Sequence, residues 1–266
     1  MTNLVIGSEG FVGRPLCNYL KGLGEIVERV DIKLGIDARN FKFNLDNIDR
    51  VYFLAWDVGG AKYLYEQSTQ LHQMQWNMEL LSNVMPQISH IPYVFISSQL
   101  AVECDTVYGV QKRLGEVWTS LSKSGFSVRL WNVYGAAEPT TIRSHVISDF
   151  IYQAVTTGAI NMMTNGDELR QFIHVNDLCS AIHLGFNDKL RGVYDVSSCA
   201  WVSIIDVARI IGNITGAVIN PGCASGKTVY INNIEVVPGW KANVGLVDGI
   251  EALVKQYRMV YGSVEN

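Results

Sequence analysis

Several ingredients are scarce in this chain. It has six prolines among 266 residues, only 17% charged side chains and five cysteines. Cys17, Cys104, Cys179, Cys199 and Cys223 are odd in number, scattered and without a C-x-x-C pair. This excludes a disulfide framework, gives no zinc signature and leads us to expect no metal. No Lys/Arg-rich run is present and the net charge is −4. The phosphate-neutralising patch of a nucleic-acid binder is therefore missing, and a small molecule is the expected partner. No apolar run approaches the roughly 18 residues of a membrane span. The N-terminal residues enter "NLVIGSEGFVG" without a basic region and cleavage pattern, so a cytoplasmic protein with no membrane partner is expected. Internal repeats and low-complexity tracts are also lacking. What remains is an ordinary globular composition, 48% hydrophobic, long enough for a substantial core.

Apolar runs bounded by turn residues recur at 4–7, 26–31, 51–56, 93–98 and 126–132, and read as strands. Between them, 11–23, 66–84 and 106–124 carry helical periodicity. Alternation of this kind predicts parallel βαβ units in a doubly wound α/β sheet. After about residue 135 the pattern is less regular. "VNDLCSAIHLGF" and "GVYDVSS" read as a helix and strand returning to the sheet, with a smaller lobe formed by the remainder.

The first strand runs into Gly7, Gly10 and Gly13 at the start of a helix. Glycines there permit a tight turn and close approach of backbone to a pyrophosphate, whose charge the helix N-terminus favours. The spacing G-x-x-G-x-x-G differs from G-x-G-x-x-G, and a simple loop is the alternative reading. The second strand then ends in Asp31, about 20 residues on, where a carboxylate can bind adenosine ribose hydroxyls. It would repel the 2′-phosphate of NADP, so NAD is expected, although Lys33 and Arg39 soften that preference. Farther along, "DTVYGVQKRLGE" places Tyr108 and Lys112 at i and i+4, on one helix face.

A glycine-rich first turn, an acidic end to the second strand and Tyr-x-x-x-Lys after a strand ending in Ser-Ser together resemble the short-chain dehydrogenase/reductase superfamily. The chain is similar to its extended branch, the NAD-dependent epimerases and dehydratases of nucleotide sugars. "FLAW" stands where that branch has H-L-A-A after its fourth strand. "VGGAKYL", "WNMELLSNV", "RLWNVYG", "NGDELRQFIHVNDL", "GVYDVSS" and "PGWKANVGLVDGI" follow in the family's order. The resemblance implies a Rossmann-type doubly wound parallel sheet at 1–135 plus 171–200. A smaller substrate-binding lobe would comprise 136–170 plus 201–266. Cofactor contacts are implied for Gly7, Gly10, Phe11, Val12, Gly13, Asp31, Leu54, Ala55, Trp56, Tyr108 and Lys112.

By the same resemblance, Tyr108 exchanges the proton of a sugar hydroxyl and Ser98 hydrogen-bonds its oxygen. Lys112 keeps the tyrosine usable as a base near neutral pH. Counting from the strand gives Ser98 with Ser97 in reserve, whereas counting back from Val102 gives Gln99. Asn132, His145 and Arg170 are implied at the substrate, with Arg170 clamping a diphosphate. His145 resembles a histidine of the GDP-fucose synthase branch, although a helix cap or packed ring is the alternative. His72, His90, His174 and His183 are read as structural. The partner arginine of the family has no match in "SGKTVYINN", where only Lys227 is cationic. Gln99 and Leu100 replace the Asp-Glu pair of a dehydratase, and Cys104 is the only thiol near the serine. The expected activity is therefore a nucleotide-sugar epimerase passing through a keto intermediate. The alternatives are a keto-sugar reductase and a catalytically silent NAD or nucleotide binder, and a homodimer is expected.

Overall fold

A computed structural model describes residues 1–64, 66–137, 145–231 and 234–262, without the side chains of Ala61 and Lys62. Parts of the expected lobe (138–144, 232–233 and 263–266) and two side chains of "VGGAKYL" thus lie outside the described residues.

In chain order the first half comprises β1 (Thr2–Ile6), α1 (Gly13–Gly22), β2 (Ile26–Val30), β3 (Arg50–Phe53), α2 (Ala61–Leu64), α3 (Gln67–Ile88), β4 (Tyr93–Ser98), α4 (Val107–Leu121) and β5 (Gly125–Leu130). The second half adds β6 (Asn132–Tyr134), α5 (Val146–Thr157), β7 (Ala159–Asn161), β8 (Leu169–His174), α6 (Val175–Asn187), β9 (Gly192–Val196), β10 (Trp201–Ser203), α7 (Ile204–Thr215), β11 (Val218–Asn220) and α8 (Leu246–Tyr261).

Six parallel strands form the main sheet in the order β2-β1-β3-β4-β5-β9. Successive side chains on a strand point to opposite faces, and the cores follow that period. Val5, Tyr52, Val94 and Val128 face Leu16 and Leu20 of α1 and Leu178 and Ile182 of α6. Leu4, Ile6, Phe53 and Phe95 face Leu81, Val84 and Ile88 of α3. Both faces are therefore covered, as an all-parallel sheet requires. A third core joins α5, α7 and α8 through Ile151, Val207, Ile211, Val254 and Tyr257. Two small sheets accompany this lobe: β10-β8-β6, and β11-β7, which packs on α5 and α7.

Two strand boundaries, and the number of strands before "FLAW", differ from the sequence expectation. The strand expected over 51–56 stops at Phe53, because the Leu54 and Ala55 N–H groups both donate to the Ile6 carbonyl at 2.8 Å and turn the chain beneath Gly7. "FLAW" therefore follows the third strand of this chain, not a fourth. The polar stretch 32–49 adds no strand outside β2 and is pinned instead by Asn83, which donates to the Ala38 and Phe41 carbonyls. Finally, the run 126–132 divides at Trp131, whose indole N–H donates to Asp195 at 2.9 Å, and Asn132 begins a strand of another sheet.

β1 has β2 on one side and β3 on the other, so the connections leave it in opposite directions. Such a switch point opens a crevice at the carboxyl ends of the strands. Here the crevice extends to the lobe and holds about 1550 Å³.

Candidate active site

The glycine turn is built around contacts that leave no room for side chains. Gly7 has φ +94°, and a Cβ there would lie 2.5 Å from the Ala55 nitrogen. At Gly13 a Cβ would lie 2.0 Å from the Gly7 carbonyl oxygen. α1 starts behind Val12 with no side-chain cap; the Arg14 N–H donates to the Gly10 carbonyl and Pro15 has none, which leaves the Gly13 N–H at the helix start to face an anion. Asp31 directly follows β2 and is buried; its carboxylate accepts from the Glu9 N–H at 2.8 Å and the Lys33 N–H at 2.9 Å. One side chain thus both fastens the glycine turn and offers a carboxylate at the crevice wall. Gly10, Phe11, Leu54, Ala55 and Trp56 line the same part of the crevice. A bare backbone turn leading into a helix N-terminus, and a carboxylate one strand away, fit a dinucleotide.

The catalytic candidates meet where β4 ends against α4. Thr106 caps α4 by accepting from the Gly109 N–H at 3.0 Å. A Cβ on Gly109 would lie 2.4 Å from the Leu100 carbonyl, so the helix start and the turn Gln99–Ala101 are in backbone contact. That contact brings Ser98 and Tyr108 together at the crevice. Side-chain alternation separates the two serines. Ser98 faces the crevice and its Oγ accepts from the Leu100 N–H, whereas Ser97 points the other way and donates to Glu116 at 2.6 Å. Gln99 also reaches the crevice wall.

Burial pushes the Tyr108 hydroxyl up to about 12, against a hydrogen bond with Ser98 that pulls it down. Lys112 is only 3% exposed. Its ammonium donates to the Ile96 carbonyl at 2.6 Å and stands 3.8 Å from the Trp56 ring centroid, with Phe95 at 5.1 Å and Tyr108 at 5.6 Å. Burial holds this lysine well below its ordinary value, although Glu116 pulls the other way. The family resemblance implies that Lys112 lowers the pKa of the tyrosine. In this geometry the ammonium is engaged elsewhere and burial of Tyr108 dominates. Behind the pair, burial raises the Glu116 carboxyl, but hydrogen bonds from Arg129, Ser97 and Arg113 outweigh it and hold the group below its usual range.

Asn132, His145 and Arg170 line the lobe side of the same crevice. Asn132 donates to the Gln171 carbonyl at 3.4 Å. His145 occupies the N-cap of α5 without capping it, and its ring lies 5.2 Å from that of Phe11. Burial lowers its pKa, favouring the neutral imidazole. Arg170 donates to the Leu169 and Lys227 carbonyls at 2.8 and 2.9 Å. The Lys227 ammonium is drawn to Glu103 and Asp105 at 3.3 and 3.1 Å. Cys104 does not line the crevice; its thiol donates to the Ala101 carbonyl at 3.2 Å.

Sequence reasoning passed over Glu168, a buried carboxylate in the crevice wall, and the acid pair that holds Lys227. The signal for Glu168 was its place two residues before Arg170, just ahead of β8. No signal joins Lys227 to Glu103 across 124 positions.

Residues 82–196, which carry β4, Tyr108 and Lys112, match the NAD dependent epimerase/dehydratase family. A dTDP-4-dehydro-6-deoxy-D-allose reductase from Streptomyces sp is 24% identical, over 81% of each chain. The crystal structure of UDP-glucuronic acid 4-epimerase from Bacillus cereus superposes with TM-score 0.81 at 19% identity, covering 98% of this chain and 100% of that one. Thermus thermophilus UDP-glucose 4-epimerase, solved as a complex with NAD, gives 0.78 at 18% identity, covering 99% and 100%. The family match spans residues 82–196, and the fold of the chain is that of these solved nucleotide-sugar epimerase structures.

Proposed function

We propose that the protein is an NAD-dependent nucleotide-sugar epimerase, oxidising a sugar hydroxyl to a keto intermediate and reducing it again from the other face. The observation that carries this reading is the meeting of Ser98 and Tyr108 on the wall of a crevice that joins the glycine turn to Asn132 and Arg170. When bound, NAD supplies a two-electron acceptor and donor at the sugar carbon. Gly7, Gly10, Phe11, Val12 and Gly13 would hold its pyrophosphate, Asp31 its adenosine ribose, and Leu54, Ala55 and Trp56 the wall beside it.

Ser98 fixes the reacting sugar oxygen, and Tyr108 exchanges a proton with it. Starting from about 12, the tyrosine must fall toward neutrality to act as a base. Lys112 assists by turning from the Ile96 carbonyl toward the tyrosine side of its pocket. Asn132 and His145 position the sugar, and Arg170 holds the diphosphate. A keto-sugar reductase is the second reading, favoured by two curated Streptomyces reductases at 24% and 23% identity. In both readings the lobe elements bind substrate, the molecule is a homodimer, and its five free cysteines accord with a reducing cytoplasm.

The test offers UDP-, GDP-, dTDP- and CDP-sugars with NAD or NADH and follows products by NMR and nicotinamide absorbance. An inverted sugar without net cofactor turnover supports the epimerase, whereas stoichiometric NADH consumption supports the reductase. Tyr108→Phe is expected to lower turnover by roughly 10² to 10⁴ while leaving the fold and NAD affinity nearly unchanged. Wild-type turnover in that variant overturns the assignment.

A further inference from the structure

β8 runs along the crevice as a ruler. Phe172 pairs in register with Asn132 at the end nearest the chemistry. Arg170 lies two residues before Phe172 on β8 and Glu168 immediately precedes the strand; all three, with Leu169 between the last two, line the crevice. Alternate residues on a strand share a face and stand roughly 6.7 Å apart. A nucleotide sugar whose sugar lies by Asn132 and whose diphosphate lies at Arg170 therefore brings its base toward Glu168.

Glu168 is 7% exposed. Its Oε1 accepts from the Thr164 hydroxyl at 2.7 Å, while Oε2 is buried and has no hydrogen-bond partner among the described residues. An unmatched carboxylate oxygen is costly to bury, so the site is incomplete until a donor reaches it. It is covered by the irregular segment 225–229, where only a glycine fits: a Cβ on Gly226 would lie 2.5 Å from Oε2. A ligand that reaches the oxygen takes Gly226's place against it.

We propose that Glu168 reads the base of the substrate and selects guanine. A carboxylate accepts two parallel hydrogen bonds and donates none when ionised. Guanine presents two adjacent donors, its ring N–H and exocyclic amine. Uracil and thymine present one N–H flanked by two carbonyl oxygens, which a carboxylate repels. Adenine and cytosine present a single amine beside an acceptor. This inference rests on the nucleotide-sugar reading and adds the identity of the nucleotide.

Calorimetric titration of the NAD-loaded protein with GDP, UDP, dTDP, CDP and ADP needs no turnover. GDP is expected to bind at least about tenfold more tightly than the others, in line with bidentate base discrimination. Glu168→Gln keeps an acceptor for Thr164 but loses the second acceptor, and should erase most of that preference while leaving the binding of UDP within about twofold. UDP or dTDP binding as tightly as GDP overturns the guanine assignment alone. A uniform loss across all five in the variant reduces Glu168 to a structural role and also overturns it. If no nucleoside diphosphate binds the wild type, the nucleotide-sugar reading itself falls.

Discussion

Lys112 shows how a residue placed for chemistry loads the fold. Its ammonium is buried with one hydrogen bond to the Ile96 carbonyl and three aromatic rings around it, and among the described residues no carboxylate forms a salt bridge with it, Glu116 acting only through its charge. Burial lowers its pKa, so between the lowered folded value and the ordinary lysine value the unfolded chain binds more protons than the folded one at this position. Stability from this group therefore rises with pH, from the lowered folded value up to the ordinary lysine value near 10.4. Lys112→Met, similar in length and apolar, should raise unfolding free energy by about 1 kcal/mol at pH 7 and abolish turnover. That advantage should shrink toward pH 10, because the wild-type penalty vanishes there. Denaturant melts of both proteins at pH 7 and 9.5 measure it. A less stable Met variant at pH 7 would show that the aromatic contacts outweigh desolvation.

At the scale of elements, the site depends on how α4 abuts the turn after β4. Gly109 is the contact point, and Gly109→Ala forces its Cβ against the Leu100 carbonyl. Backbone cannot rotate aside as a side chain can, so the turn Gln99–Ala101 must shift and carry Ser98 away from Tyr108. We expect destabilisation of about 1–3 kcal/mol from overpacking and a loss of turnover beyond tenfold. Gly22→Ala at the end of α1 is the control. Its added Cβ meets nothing within 4 Å, and the substitution should stabilise by up to about 1 kcal/mol. Melting curves with kcat for both variants check the contrast, and equal effects would contradict it.

At the scale of the molecule, α4 carries an apolar stripe that the monomer leaves open. Val110, Leu114, Val117 and Leu121 are 52%, 39%, 43% and 81% exposed at spacings of four, three and four, and Leu71 and Met74 of α3 lie exposed on the adjoining helix. This is the periodicity of a helix face that seats against other helices. A two-fold pairing of α3 and α4 would cover it and form a homodimer through a four-helix seam. Light scattering should give twice the 29.6 kDa chain mass at micromolar concentration, and Leu114→Glu should reduce it to the monomer. A monomeric wild type would leave this stripe without the proposed partner.

Local rules made much of the architecture legible. Strand-helix alternation foretold the parallel sheet, glycines after a strand marked the turn where Gly7 and Gly13 exclude any side chain, and i, i+4 spacing put Tyr108 and Lys112 on one helix face. These properties depend on residues a few positions apart, so sequence alone carries them. The choice of Ser98 over Ser97 for the crevice depended on the register of β4 against α4, which side-chain alternation decides only once the strand is placed. The partners of Lys112, the pairing of Lys227 with Glu103 and the unmatched oxygen of Glu168 join segments 16 to 124 positions apart or depend on what fails to reach a buried atom. Sequence spacing is silent on both, because desolvation and orphaned hydrogen bonds exist only after the chain has closed around them.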